Sequence, residues 1–133
     1  MAITEGNGLP IGLSIASASP HEIKLVEETI ESIYAPYLPE RLIGDKAYDS
    51  DELDEKLKKK YGIELIAPHK KNRKKKKTQD GRKLRRYKKR WKVERGFAWI
   101  QNFRKLVTRY ERKDENFLAM AQLACIMILL RYF

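Results

Sequence analysis

Residues 41–68, RLIGDKAYDSDELDEKLKKKYGIELIAP, decide the fold class. Arg41–Gly44 reads as a short apolar strand with a polar exit, and Ile63–Pro68 as a second apolar strand. Between them Leu53 and Leu57 share the inner face of a helix. Asp49 with Glu52, or Ser50 one residue later, supplies its amino cap, and Gly62 closes it. Upstream, Leu9, Ile11, Leu13 and Ile15 alternate with smaller or polar residues, the period of a half-buried strand. Gly6-Asn7-Gly8 is a turn, and Met1–Thr4 would end the hairpin partner. Ser19-Pro20-His21-Glu22 has the form of a capping box with proline at the first helical position. Ile23, Val26, Ile30 and Ile33 carry that helix to about Tyr34, and Pro36 and Pro39 end it. Downstream, a long helix is expected from about Arg82 to Leu106 and a final one over Phe117–Phe133. Strands alternating with helices, then helices alone, predict an α/β fold with a mixed sheet.

The 133 residues suit a single domain, with a basic loop at about 69–83. One cysteine excludes a disulfide framework and a Cys-rich zinc site, which points to a reducing cytoplasm. Cys125 reads as a small core residue, and His21 and His69 lack the neighbours a zinc site needs. No basic patch and apolar run open the chain, so no signal peptide is expected. The apolar stretch Phe117–Phe133 carries Gln122 and Arg131 and falls short of the roughly 20 residues a membrane span needs. It reads as a buried helix, and no membrane partner is expected.

The net charge of +11 is unevenly spread: Lys70–Lys92 holds fifteen Lys/Arg against the single acidic Asp80, a local balance of +14. The rest of the chain carries 14 basic and 17 acidic residues. Such a segment repels itself and suits a polyanion, because each cation that neutralises a phosphate releases condensed counterions. The competing reading is a solvated, charged loop.

Two acidic residues stand out. Asp45 follows Leu42-Ile43-Gly44, at the carboxyl end of a strand, where open α/β sheets gather their sites; it also reads as an ordinary turn aspartate. Glu94 lies in WKVERGFAWI, where an acid either pairs with a neighbour such as Arg90 or holds a cation. At roughly 100° per residue, Tyr87, Arg90, Glu94, Gln101 and Lys105 fall on one helical face. Trp91, Phe97, Trp99 and Phe103 point in several directions and read mostly as packing residues.

With these residues in place, GDKAYDS and YKKRWKVERGFAWIQNFRKLVTRYER together resemble the DDE transposases of bacterial insertion sequences. The nearest likeness is to the insertion-sequence group five branch, in the class whose signature is Tyr-x2-Arg-x3-Glu-x6-Lys. Tyr87, Arg90 and Glu94 match the first three positions; Gln101 stands at the fourth, and Lys105 lies one turn further on. The resemblance implies a ribonuclease-H-like fold with flanking helices, and three carboxylates binding two Mg²⁺ or Mn²⁺ ions for strand cleavage and transfer. Asp45 matches the second acidic position and Glu94 the third. By the same resemblance Tyr87 and Arg90 contact transposon-end phosphates. Lys70, Lys71, Arg73, Lys74, Lys75, Lys76, Lys77, Arg85, Arg86, Lys88, Lys89 and Lys105 then line double-stranded DNA.

The family's first acidic position falls on a strand upstream of Gly6-Asn7-Gly8, which these residues do not include. The expectation is therefore the carboxyl-terminal part of the catalytic domain, a truncated copy or one of two frames joined by frameshifting. It would have little activity alone and would partner an upstream-encoded segment or further copies of itself. A second expectation is a non-catalytic DNA-binding fragment that partners or inhibits an intact transposase. A third, an unrelated basic RNA-binding protein, explains neither Asp45 nor the Tyr87–Arg90–Glu94 face.

Overall fold

The computed structural model describes residues 1–17, 21–78 and 81–132. Its α/β unit runs β3 (Arg41–Ile43), a 3-10 turn (Lys46–Tyr48), α2 (Asp51–Tyr61) and β4 (Glu64–Ile66). The strands are parallel, with Leu42 opposite Leu65. Ser50 caps α2, its hydroxyl accepting the Leu53 N–H at 3.4 Å, and Gly62 ends it in the left-handed conformation at φ 70°. Three acids in the first turn and three lysines in the last complement the helix dipole. Leu53 and Leu57 are buried with Ile63 and Leu65, as the spacing predicts.

The amino-terminal hairpin also forms: β1 (Ala2–Thr4) pairs antiparallel with β2 (Pro10–Leu13), with a register shift between Ile3 and Thr4. The Glu5 carboxylate ties the turn by accepting the N–H groups of Asn7 (2.7 Å) and Leu9 (3.2 Å). These strands do not join one mixed sheet. Among the described residues they form two separate two-stranded sheets, and the far edges of β1 and β3 are unpaired. Met1 and Ser14 exchange both backbone bonds, so Ala2 turns its N–H and C=O outward. Gly44 donates to Ile66, so Arg41 and Ile43 do the same on β3.

Helix α1 (Glu22–Glu31) begins with His21 as its cap, the ring accepting from the Ile23 N–H; the expected Ser19-Pro20 start lies outside the described residues. It stops at Glu31, short of Tyr34. The Ser32 hydroxyl donates to Thr29 O (2.7 Å) and accepts from Leu13 N–H (2.9 Å), so the chain docks on β2 there instead of continuing. The buried Ser14–Thr29 hydroxyl pair (2.6 Å) fastens the same contact.

The single helix expected over Arg82–Leu106 is three: α3 (Gly81–Tyr87), α4 (Trp91–Gln101) and α5 (Arg104–Val107). At the first break the chain tightens, with Lys88, Lys89, Arg90, Lys92 and Val93 each bonding three residues back. The second break has a packing cause. Ile100 and Leu106 both pack on the cluster of Leu13, Ala121 and Cys125, yet six residues along one straight helix would set them about 120° apart. Phe103 in extended conformation turns the chain so that both reach it.

Helix α6 (Asp114–Leu129) starts three residues before the expected Phe117 and places Asp114 and Glu115 in its first turn. It buries Ala121, Ala124, Cys125 and Ile128, so Cys125 is a core residue. Among the described residues, no helix is long and apolar enough to cross a membrane.

Helix α4 crosses the hairpin at a contact between two glycines. A Cβ on Gly96 would lie 2.6 Å from Gly8 O and 3.1 Å from Thr4 Cγ2, and Gly8 sits at φ 88°. Gly96→Ala is therefore expected to push α4 off the hairpin and cost about 1–3 kcal/mol in urea denaturation. Gly81→Ala, with open space around its Cβ, is the control and should shift stability by less than about 1 kcal/mol.

Candidate nucleic-acid interface

Asp45 follows the carboxyl end of β3 and caps the 3-10 turn, Oδ1 accepting the Ala47 N–H at 2.7 Å. Before it, Gly44 lies against Tyr48, where a Cβ would come within 2.9 Å of the ring. Burial, with the Glu22 carboxylate beside it, pushes the Tyr48 hydroxyl well above its ordinary value. Asp45 lines a cavity of about 640 Å³ between β1 and β3, walled by Ala2, Ile43, Val26, Leu65 and Arg90 among others.

Glu94 stands in the first turn of α4 with its side chain 62% exposed, its Oε1 accepting from Arg90 Nη2 at 2.9 Å. The Arg90 guanidinium also lies over the Tyr87 ring, 5.8 Å from the centroid. Tyr87, Arg90 and Glu94 are thus brought together, because the tightened turn sets Arg90 one short turn after Tyr87. Gln101 lies on the Glu94 face of α4, two turns further on, whereas the bend at Phe103 separates Lys105 from that helix.

No contact joins Asp45 to Glu94. Arg90 reaches the cavity that Asp45 lines, whereas Glu94 is not in its wall. Lys83 of α3 pairs with Glu64 at the amino end of β4, the end of the parallel pair away from Asp45. Lys92 donates to Gly6 O in the hairpin turn at 2.6 Å. Among the described residues no three His, Cys, Asp or Glu side chains gather to hold a metal ion. Carboxylate oxygens are the donors Mg²⁺ and Mn²⁺ prefer, so Asp45 and Glu94 fit such an ion in kind. They fall short in number of a centre that clamps two ions.

In the loop after β4, six lysines face solvent and one cation, Arg73, does not. Lys70, Lys71, Lys74, Lys75, Lys76 and Lys77 are exposed, as are Arg85, Arg86, Lys88, Lys89 and Lys105. Arg73, expected to meet DNA, turns inward with its side chain 10% exposed. Its Nη1 donates to Asp49 Oδ1 (2.9 Å), and its Nη2 to Asp51 Oδ1 (2.6 Å) and Lys76 O (3.1 Å). Asp49 also accepts from His69 Nδ1 (2.8 Å) and the Lys70 N–H (2.8 Å). The other His69 nitrogen accepts the Thr78 N–H at 3.1 Å, which makes Nδ1 the protonated one. Burial pushes the Asp49 carboxyl up, but the Lys70 N–H, His69 and Arg73 outweigh it and hold the carboxyl below its ordinary value. Sequence reasoning missed this knot. The available signal was the acidic DSDELDE run, the nearest countercharge to the lysines.

The chain belongs to the DDE transposase family, residues 1–129 matching the family described as Transposase DDE domain. It is 28% identical over 134 residues to the Burkholderia cepacia protein named "Putative transposase for insertion sequence element IS402". That alignment takes in 95% of this chain and 59% of that protein, so the chain spans well under two thirds of the relative's length. No solved structure matches.

Asp54, one helical turn into α2, carries the cost of this acidic gathering. Burial first, then the charges of Asp51 and Asp49, push its pKa up to about 6. Its unfolded value is about 3.9, so between these limits the folded chain holds a proton that the unfolded chain has released. Its contribution to stability therefore falls as pH rises through that window and stays lost above it. Asp54→Asn should raise the urea midpoint at about pH 7.5 and lose that advantage at about pH 4. Equal gains at both would show that Asp54 ionises normally.

Proposed function

We propose that this chain is the carboxyl-terminal part of a ribonuclease-H-like transposase catalytic domain, of the insertion-sequence group five branch, that lies along double-stranded DNA. The observation that carries this reading is the strip of exposed lysines on the loop after β4, in a chain of the DDE transposase family. Six lysines held outward suit a row of backbone phosphates and read no bases. Arg85, Arg86, Lys88 and Lys89 continue the charge along α3 and the turn after it.

Asp45 and Glu94 are the residues that would ligate a divalent ion, the second and third of the family's three carboxylates. The ion would supply charge neutralisation at the reacting phosphorus. The chain's own contribution is binding and orientation. Arg90, 39% exposed and stacked on Tyr87, offers a guanidinium fork to a phosphate at the mouth of the Asp45 cavity. A phosphate taken by Arg90 draws that cation off Glu94 and leaves the carboxylate able to face a metal. The first carboxylate would come from a strand upstream of the hairpin, for which the free edge of β1 supports a place.

The alternative reading, a DNA-binding fragment that partners or inhibits an intact transposase, is favoured by Glu94 pairing with Arg90 outside the wall of the cavity that Asp45 lines. Nicking of supercoiled DNA with Mg²⁺ or Mn²⁺, with and without an added upstream segment, separates the two. Activity abolished by Asp45→Asn and Glu94→Gln sinks the inhibitor reading; no nicking in any combination sinks the catalytic one.

DNA binding itself is tested by fluorescence anisotropy on a duplex across a salt series. Six phosphate contacts predict a log–log slope of about −5. Changing Lys74, Lys75, Lys76 and Lys77 to Gln should flatten it to about −2. A wild-type chain whose affinity ignores salt would end the DNA reading.

A further inference from the structure

We propose that Asp49 is the positioning residue of the DNA-binding loop: its carboxylate holds residues 69–78 in one shape, so that the flanking lysines meet phosphates as a preset strip. The inference rests on the DNA reading above and adds what that reading lacks, a reason for the loop to keep its form. Seven cations within Lys70–Lys77 repel one another, and the exposed lysines among them bury no apolar surface that could hold the segment still.

One carboxylate gathers three separate donors from that loop. Its Oδ1 takes His69 Nδ1 and Arg73 Nη1, and its Oδ2 takes the Lys70 N–H. The Asp49 side chain is 6% exposed, against 10% for both His69 and Arg73, so the knot is shielded from competing water. Both ends of the loop are tied. His69 passes the constraint on to Thr78, and Arg73 passes it to Lys76 O. Asp51 adds a second acid on Arg73, and Lys75 lies 3.4 Å from its other oxygen. Buried, charge-assisted bonds are the strong ones, and removing a shared acceptor leaves every donor unpaired.

The prediction runs against simple charge counting. Removing an acid from beside a lysine strip should, by electrostatics alone, tighten DNA binding. If Asp49 presets the loop, its loss weakens binding instead, because the loop's freedom must then be frozen on association.

The test uses the full chain and a fluorescein-labelled duplex, comparing Asp49→Asn with Glu52→Gln. Glu52 is an exposed acid nearby with the same change in charge. Glu52→Gln should hold or raise affinity, while Asp49→Asn lowers it about tenfold and flattens the salt slope. Trypsin should cut within 70–77 faster in Asp49→Asn at a temperature where both chains are fully folded by circular dichroism, and Asp49→Glu should recover part of the affinity. If Asp49→Asn fails to fold by circular dichroism, His69→Ala decides, since it opens the same knot without touching a carboxylate or a lysine. Asp49→Asn (or His69→Ala in its place) binding as tightly as Glu52→Gln overturns the latch and leaves the DNA reading standing. A wild-type chain that does not bind overturns the DNA reading and the latch with it.

Discussion

Positive charge concentrated in one stretch of chain is the constraint around which this molecule is organised. Lys70–Lys92 carries fifteen cations and one acid, and no arrangement of that segment on itself lowers its energy. The countercharge sits at the start of α2, where Asp49 and Asp51 face the loop. Placing acids there is doubly favourable, since the amino end of a helix already attracts negative charge. The gathering has a cost at Asp54, where burial and the charges of Asp51 and Asp49 outweigh the pull of Arg73 and His69.

The open part of the architecture lies between the two small sheets. Each leaves an open edge, at β1 and at β3, and the cavity between them is apolar through Val26, Ile43 and Leu65. Helix α4 bridges the far side by laying Gly96 on Gly8 and hanging Lys92 on the hairpin turn. Only backbone-thin residues allow that approach, so the position of Glu94 depends on two glycines.

The local parts of this fold were legible because their signals are local. Ser50, Leu53, Leu57 and Gly62 lie within a few turns of one another and specify α2 without help from the rest of the chain. The sequence after Arg82 predicts one helix because its periodicity continues through Leu106, while the packing of both Ile100 and Leu106 on Leu13 depends on residues far away. The site was legible only in part. Tyr87, Arg90 and Glu94 share a motif and do meet. Arg73 was indistinguishable from its neighbours in a run of cations, yet it alone among them is turned inward. Its partners lie 22 and 24 positions upstream, a pairing that leaves no periodic trace.

Asp45 and Asp49 bracket a single short turn, Lys46–Tyr48, Asp45 capping its start through Ala47 and Asp49 closing it with an N–H bond to Lys46 O. The acid at the end of β3 and the acid that ties the basic loop are thus held by the same few residues. Gly44 pressed on the Tyr48 ring fixes that turn against the strand. A loop anchored anywhere else would place its lysines independently of the strand end. Anchored at Asp49, the lysine strip is set at a fixed offset from Asp45, and under the proposed DNA reading a duplex lying along the strip would be indexed to the carboxylate by the geometry of one turn.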